Sequence, residues 1–103
     1  MHVPHLIDLE VASVLRQAVQ RGELDDSRAS RALADLTDLR AIRYPHAPFL
    51  PRIWELRENL TVYDAAYIAL AETLDATFVT GDARITRAPG IRCNCDLVDA
   101  APR

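Results

Sequence analysis

The chain has 103 residues, of which 50% are hydrophobic and 26% are charged. This balance is typical of one small globular domain over residues 1–103 and excludes a disordered tail. The formal net charge of −3 argues against a general nucleic-acid coat. No apolar run reaches the roughly 20 residues that span a bilayer, and no secretory signal precedes Pro4. We therefore expect a cytoplasmic protein without a membrane association.

The first half of the chain predicts two amphipathic helices followed by a strand. Apolar residues spaced three and four apart predict a helix over residues 4–21, with Pro4 at its first position and Gly22 after its end. The same spacing predicts a second helix from residue 26 or 27 to residue 39. Alternation of polar and apolar residues then predicts a strand over residues 40–44.

The second half predicts short elements around one longer helix. Thr61 is a good N-cap for that helix, whose apolar face consists of small residues. The other expected elements are a proline-started helix at 53–57, a strand at 76–80, a short helix or turn at 82–87 and a final strand at 91–98. Helices that alternate with strands favour an α/β fold with a mainly parallel sheet, although only three strands can be drawn.

The cysteines and histidines lack the spacing of a metal site. His2, His5 and His46 do not form the His-Glu-x-x-His pattern, so surface or loop positions are expected. Cys93 and Cys95 place both sulfurs on one face of a strand, which could supply half of a metal site, but no second pair exists. They are also too few and too close for a disulfide scaffold, so reduced strand cysteines are the favoured interpretation.

Two acids have positions that fit either a structural or a functional role. Asp64 lies in the first turn of the helix that follows Thr61, where a capping box and the helix dipole both favour an acid. Asp82 follows the strand that ends at Thr80 and could cap the next turn. The end of a strand in an α/β sheet is, however, also where ligands usually bind.

A third acid cannot be chosen from the pattern alone. Glu10 lies in the middle of the first helix, at the border of its apolar face, and could be an ordinary exposed helix acid. Asp8 competes with it. Asp8 would be the N-cap if the helix started late and would point into the apolar arc if the helix started at Pro4.

Together these acids suggest a metal site. Carboxylates brought to one point repel each other and need a cation, and ligation by oxygen alone selects Mg²⁺ or Mn²⁺. Such ions hold water and phosphate oxygens for an in-line attack. Arg84 and Arg87 follow Asp82 and could contact phosphates, with a solvated surface turn as the favoured alternative.

Three segments of the sequence resemble conserved blocks of a known family. Residues 3–16, which contain Asp8-Leu9-Glu10, resemble the second conserved block of PIN-domain ribonucleases of the VapC toxin type. Residues 59–72, with Tyr63-Asp64-Ala65-Ala66-Tyr67, look like the third block. Residues 78–84, with Thr80-Gly81-Asp82, look like the fourth. The blocks stand in the family's order, and the resemblance covers nearly the whole chain.

The resemblance implies a function and a set of site residues. It implies Mg²⁺- or Mn²⁺-dependent endonucleolytic cleavage of RNA, with Glu10, Asp64 and Asp82 as catalytic metal ligands and Thr80 assisting beside Asp82. It thereby favours Glu10 over Asp8. It also implies a type II toxin–antitoxin module, in which a small VapB-type antitoxin covers the site, and a homodimer with a PIN-like three-layer α/β fold around a parallel sheet.

One departure from the family lowers the expected activity. The family opens with a central strand that ends in an Asp, whereas this sequence starts at the second block, so the fold is expected to be N-terminally truncated with an open sheet edge. Loss of one carboxylate ligand weakens Mg²⁺ binding, which predicts weak or no cleavage. One hypothesis places the true start of a working nuclease upstream of Met1. Another takes the chain as a catalytically dead relative that binds an antitoxin or a second protomer, and a third takes it as a helical interaction module.

Overall fold

The computed structural model describes residues 1–98. The chain divides into two compact units, Met1–Tyr44 and Pro45–Arg103. The first unit contains two strands and two helices. In chain order these are β1 (His2–Pro4), α1 (Leu6–Gln20), α2 (Asp26–Asp38) and β2 (Ile42–Tyr44).

The first unit begins with a strand and not with a helix. Strand β1 pairs in parallel with β2, with Val3 opposite Arg43. The His5 N–H continues this ladder, since it donates to the Tyr44 carbonyl at 2.9 Å. Pro4, which has no N–H to donate, is tolerated at the edge of a short sheet. The predicted helix start at Pro4 is therefore wrong, and α1 begins two residues later.

The ends of the two helices follow the local sequence. After α1, Gly22 adopts φ +74°, the left-handed conformation that terminates helices, so the predicted end is confirmed. Helix α2 starts at Asp26, and the side chain of Asp25 caps it by accepting the Arg28 N–H at 2.7 Å. Both predicted helices of this unit are thus present, within two residues of their expected bounds.

The second unit is built around one buried helix. A 3₁₀ turn at Ala47–Phe49 leads into the elements that follow. They are α3 (Leu50–Glu55), α4 (Val62–Thr73), β3 (Phe78–Thr80), α5 (Ala83–Thr86) and β4 (Cys95–Leu97). Helix α3 begins earlier than residue 53 because Pro51 lies in its first turn, where a missing N–H costs nothing.

The core of the second unit centres on α4. Its buried residues are Ala65, Ala66, Ile68, Ala69, Leu70 and Ala71, and Ile53, Leu56 and Ile85 are buried with them. The alanines let neighbouring elements approach α4 closely, as the predicted small-residue face requires. Val62, the first residue of the helix, is exposed.

The strands agree with the predicted fold class but exceed the predicted number. Strand β3 pairs in parallel with β4, with Phe78 opposite Cys95, so both strand pairs of the described residues are parallel. The expectation of three strands is wrong, because residues 2–4, which are expected to lead into a helix starting at Pro4, form the additional strand β1. Ile42, Val79 and Leu97 expose apolar side chains along the strands. Among residues 1–98, no helix has both the length and the apolar character needed to cross a membrane.

Candidate active site

Two of the three candidate acids line the same cavity. The start of α4 contributes Asp64, and the turn after β3 contributes Asp82, to a cavity of about 230 Å³ in the second unit. Asn59, Thr61 and Arg84 also line it. The chain therefore brings together two carboxylates that are 18 positions apart in the sequence.

Asp64 is held by the cap of its helix. The Thr61 hydroxyl oxygen accepts the Asp64 N–H at 3.1 Å, which confirms Thr61 as the N-cap. A full capping box would also require the Asp64 carboxylate to accept the Thr61 N–H. Within residues 1–98 that reciprocal bond is not formed. The backbone of Asp64 thus stabilises the helix start, while its half-buried carboxylate remains available to the cavity.

Asp82 is positioned by hydrogen bonds on both sides. Its N–H donates to the hydroxyl oxygen of Thr80, the last residue of β3, at 3.1 Å. Its Oδ1 accepts the Arg84 N–H at 2.9 Å, which makes Asp82 the N-cap of α5. The predicted capping role is therefore present, and Thr80 acts on Asp82 through the backbone.

The guanidinium of Arg84 also binds the Asp82 carboxylate. Arg84 Nε donates to Oδ1 at 3.1 Å, and Nη2 donates to Oδ2 at 2.8 Å. These bonds, together with the backbone N–H of Arg84 and the charge of Arg87, hold the pKa of Asp82 below its usual value. The Asp82 carboxylate is consequently ionised at neutral pH, as a cation ligand must be.

The first unit places Asp8 and Glu10 in different settings. Arg43 Nε donates to both Asp8 oxygens, at 3.0 and 2.8 Å, and Arg43 Nη2 donates to the Leu36 carbonyl at 2.9 Å. Asp8 thus ties α1 to β2, and Arg43 links β2 to α2. Asp8 is not the N-cap of α1, which is His5. A structural role is therefore established for Asp8. Glu10 is half-buried within α1.

Comparison with known proteins identifies the family. The PIN domain model matches residues 1–91. Ribonuclease VapC1 of Mycobacterium tuberculosis is 46% identical over 98 residues, which cover 94% of this chain and 74% of the relative. VapC ribonuclease Mb0985 of Mycobacterium bovis is 44% identical, covering 95% and 77% of the two chains. The chain belongs to the VapC group of the PIN-domain family. The predicted resemblance and the predicted α/β PIN-like fold are therefore confirmed.

More distant VapC relatives align over the same part of the chain. Ribonuclease VapC12 of Mycobacterium tuberculosis is 36% identical over 98 residues, which cover 95% of this chain and 76% of the relative. The match therefore spans both units and includes the segments that carry Glu10, Asp64 and Asp82.

The donor set of this VapC cavity fits a hard divalent cation. Asp64 and Asp82 offer carboxylate oxygens, and within neither unit do three His, Cys, Asp or Glu side chains of residues 1–98 gather into a larger ligand set. Mg²⁺ is commonly held by one or two protein carboxylates, with water and substrate phosphate completing its shell. A softer metal would need sulfur or imidazole donors.

The cysteines do not line this cavity, and Cys93 is a poor metal ligand. Cys93 and Cys95 are free thiols, as expected. Burial raises the pKa of Cys93 to about 11, and the neighbouring Cys95 adds to the shift. Since the thiolate is the metal-binding form, Cys93 is poorly prepared to bind a metal at neutral pH.

Sequence reasoning missed Asn59 as a residue of this cavity. Its side-chain Nδ2 donates to the Pro89 carbonyl at 3.1 Å, which links the loop before α4 to the loop before β4. An Asn two residues ahead of an N-cap has no periodic signal, because its role depends on a contact 30 positions away.

Proposed function

We propose that the protein is an endoribonuclease toxin of a type II VapBC toxin–antitoxin module and that it hydrolyses RNA phosphodiester bonds with Mg²⁺ or Mn²⁺. The observation that carries this proposal is the shared cavity of Asp64 and Asp82, in a chain related to proteins named ribonucleases. Two carboxylates in one cavity favour a cation, and RNA supplies the anionic oxygens that such a cation would also bind.

The metal ligands in this proposal are Asp64, Asp82 and Glu10. The first two are supported by their shared cavity and by the oxygen-only chemistry of their side chains. Glu10 is included on the family resemblance, and the ion pair that occupies Asp8 removes its competitor. When bound, the cation would supply a more acidic water molecule and neutralise charge on the phosphate oxygens.

Side chains in the cavity and next to it in the sequence would position the reacting groups. Thr80 accepts the Asp82 N–H and so orients Asp82 at the end of β3. Arg84 lines the cavity, Arg87 follows it in the sequence, and both are exposed, so either guanidinium could bind an RNA phosphate through paired N–H donors. These arginines would hold the substrate and would not transfer a proton.

The proposed partners follow from the relatives. We propose a VapB-type antitoxin that covers the acidic cavity, a homodimeric assembly, and action in the cytoplasm, where the RNA substrate is found. The expectation that this chain cleaves weakly stays a prediction.

A cleavage assay tests the proposed reaction. The purified 103-residue protein is incubated with a fluorescent single-stranded RNA in Mg²⁺ and in EDTA, alongside Asp64→Asn and Asp82→Asn. Asp75→Asn serves as the matched control, because Asp75 lies in the left-handed region at φ 51°, which Asn also tolerates, and lines a different cavity. We expect slow cleavage at internal sites that requires Mg²⁺, survives Asp75→Asn and is lost in the other two variants.

Two outcomes would argue against the nuclease. Cleavage that persists in EDTA or in Asp64→Asn would place the activity outside this cavity. No cleavage by a protein that still binds Mn²⁺ through Asp64 would favour the binding-only alternative, in which the chain associates with an antitoxin or a second protomer. Fast cleavage, abolished by Asp64→Asn, would overturn the prediction of weak activity.

A further inference from the structure

The side chain of Arg84 occupies the oxygens that the proposed cation needs. Its Nε and Nη2 donate to Oδ1 and Oδ2 of Asp82, and its backbone N–H donates to Oδ1 as well. Three donors from one residue thus point at one carboxylate. A divalent cation binds the same oxygen lone pairs, so the guanidinium fork and the cation cannot both use them.

The surroundings of Arg84 favour this pairing in the metal-free protein. The charge of Asp64 also attracts Arg84, since the Asp64 and Asp82 carboxylates both raise the pKa of its guanidinium. The Arg84 guanidinium therefore compensates part of the negative charge of two carboxylates that would otherwise repel each other. The Arg84 side chain is 87% exposed, so it can leave Asp82 without disturbing the packed core.

We propose that Arg84 is a built-in competitor of the divalent cation, which occupies Asp82 until the cation displaces its guanidinium. This inference rests on the proposed function, because it takes Asp64 and Asp82 as the metal ligands. Displacement would leave the guanidinium close to the cavity and without its carboxylate partner. The same residue would therefore partly compensate the negative charge of the metal-free site and become available to RNA phosphate when the site fills.

The competition should be worth a modest factor in affinity. Exposed ion pairs are weak, so removal of the Arg84 fork should tighten Mn²⁺ binding about two- to fivefold. Loss of a nearby positive charge would also favour cation binding, through space and without any direct contact. A test must therefore separate the effect of freeing the Asp82 oxygens from the effect of removing the positive charge of Arg84.

The test is a titration of the full chain with Mn²⁺, in which free Mn²⁺ is measured by electron paramagnetic resonance. Arg84→Gln removes the fork and the charge, and Arg84→Lys keeps the charge but replaces the planar fork with a single ammonium group. Arg87→Gln is the matched control, because Arg87 influences Asp82 by charge alone. We expect Arg84→Gln to bind about two- to fivefold tighter and Arg84→Lys to bind tighter than the wild type, whereas Arg87→Gln changes affinity less than either.

The outcomes separate this inference from the proposed function. The competition is refuted if Arg84→Lys has the Mn²⁺ affinity of the wild type and Arg84→Gln has that of Arg87→Gln. If Asp64→Asn and Asp82→Asn lose Mn²⁺ binding in the same experiment, the proposed metal site is still supported. If Asp64→Asn and Asp82→Asn bind Mn²⁺ as the wild type does, or the wild type binds none, the metal site fails and the inference with it.

A second readout follows the displaced side chain directly. The Arg84 Nε–H resonance, recorded by NMR in ¹⁵N-labelled protein, should shift and exchange faster with water when diamagnetic Mg²⁺ is added. An Arg84 Nε–H signal that stays unchanged at saturating Mg²⁺ would refute displacement.

Discussion

The carboxylate of Glu72 stabilises the second unit through one compact network, and its removal should be costly. Glu72 Oε1 accepts Arg52 Nε at 2.7 Å, and Oε2 accepts Arg52 Nη2 at 3.1 Å and the Arg92 N–H at 2.8 Å. Arg52 Nη2 also donates to the Gly90 carbonyl. This network joins α3 and α4 to the loop that leads into β4. We predict that Glu72→Gln destabilises the protein.

The magnitude follows from the burial of the pair. The side chains of Arg52 and Glu72 are only 19% and 12% exposed, so the partner left behind is poorly hydrated. Hydrogen bonds to charged groups contribute about 1.5–3 kcal/mol each, and loss of one partner of a fully buried pair costs about 3–5 kcal/mol. Because Arg52 keeps its bond to the Gly90 carbonyl, we expect Glu72→Gln to lower the free energy of unfolding by about 2–3 kcal/mol at pH 7.

The effect should also depend on pH with a definite sign. Burial alone would raise the pKa of Glu72, but the hydrogen bonds from Arg52 and the Arg92 N–H outweigh it and hold the pKa below the usual 4.5. A lowered folded-state pKa means that the stabilisation is complete above the unfolded value and is lost as the pH falls through the folded value. The difference between wild type and Glu72→Gln should therefore be constant from pH 6 to 8 and shrink in acid below about pH 4.5.

Urea unfolding followed by circular dichroism measures this difference. Glu55→Gln is the matched control, because Glu55 contacts the same Arg52 guanidinium at 3.3 Å but is 62% exposed. We expect Glu55→Gln to cost less than about 0.5 kcal/mol, as exposed ion pairs do. Equal effects of the two variants at pH 7, or a Glu72→Gln effect that grows in acid, would refute the reasoning.

Three further predictions concern the core, the cap of α4 and a thiol. Ile68→Ala should destabilise by about 2–5 kcal/mol in the same urea assay, and Ile68→Val by about 1 kcal/mol, because Ile68 is fully buried; equal costs would contradict this. Thr61→Ala should cost about 1 kcal/mol while Thr61→Ser costs little, since only the hydroxyl caps α4; similar losses in both would exclude the cap as the cause. Iodoacetamide should modify Cys93 at pH 8 far more slowly than it modifies the cysteine of a short peptide, because burial raises the pKa of Cys93 to about 11. Mass spectrometry of the labelled peptide measures the rate, and modification as fast as in the short peptide would contradict this prediction.

The long helices could be predicted because their signals are local. Helices α1, α2 and α4 repeat apolar residues every three or four positions, and Thr61 and Gly22 mark their ends by side-chain and backbone chemistry. Strand β1 could not be predicted in the same way, because it ends at Pro4, a residue that also favours the start of a helix. The predicted start of α1 at Pro4 was two residues too early, since proline suits both a first helical turn and the edge of a sheet.

The site could be predicted only through the resemblance of its motifs. Local pattern describes Asp64 and Asp82 as capping residues, and both do cap or begin helices. Their convergence on one cavity depends on how β3 returns beside α4, which no local pattern encodes. The fork between Arg84 and Asp82 depends on a side-chain conformation, and the ion pair of Asp8 with Arg43 spans 35 positions. Such contacts emerge from the fold and not from spacing.

We propose that Asp64 and Asp82 hold one divalent cation between them. Calorimetric titration with Mn²⁺ tests this proposal most directly. The wild type and Asp75→Asn should each bind one Mn²⁺ ion in the cavity, while Asp64→Asn and Asp82→Asn should each weaken binding by about tenfold or more. Mn²⁺ affinities that are equal in all four proteins would contradict the account.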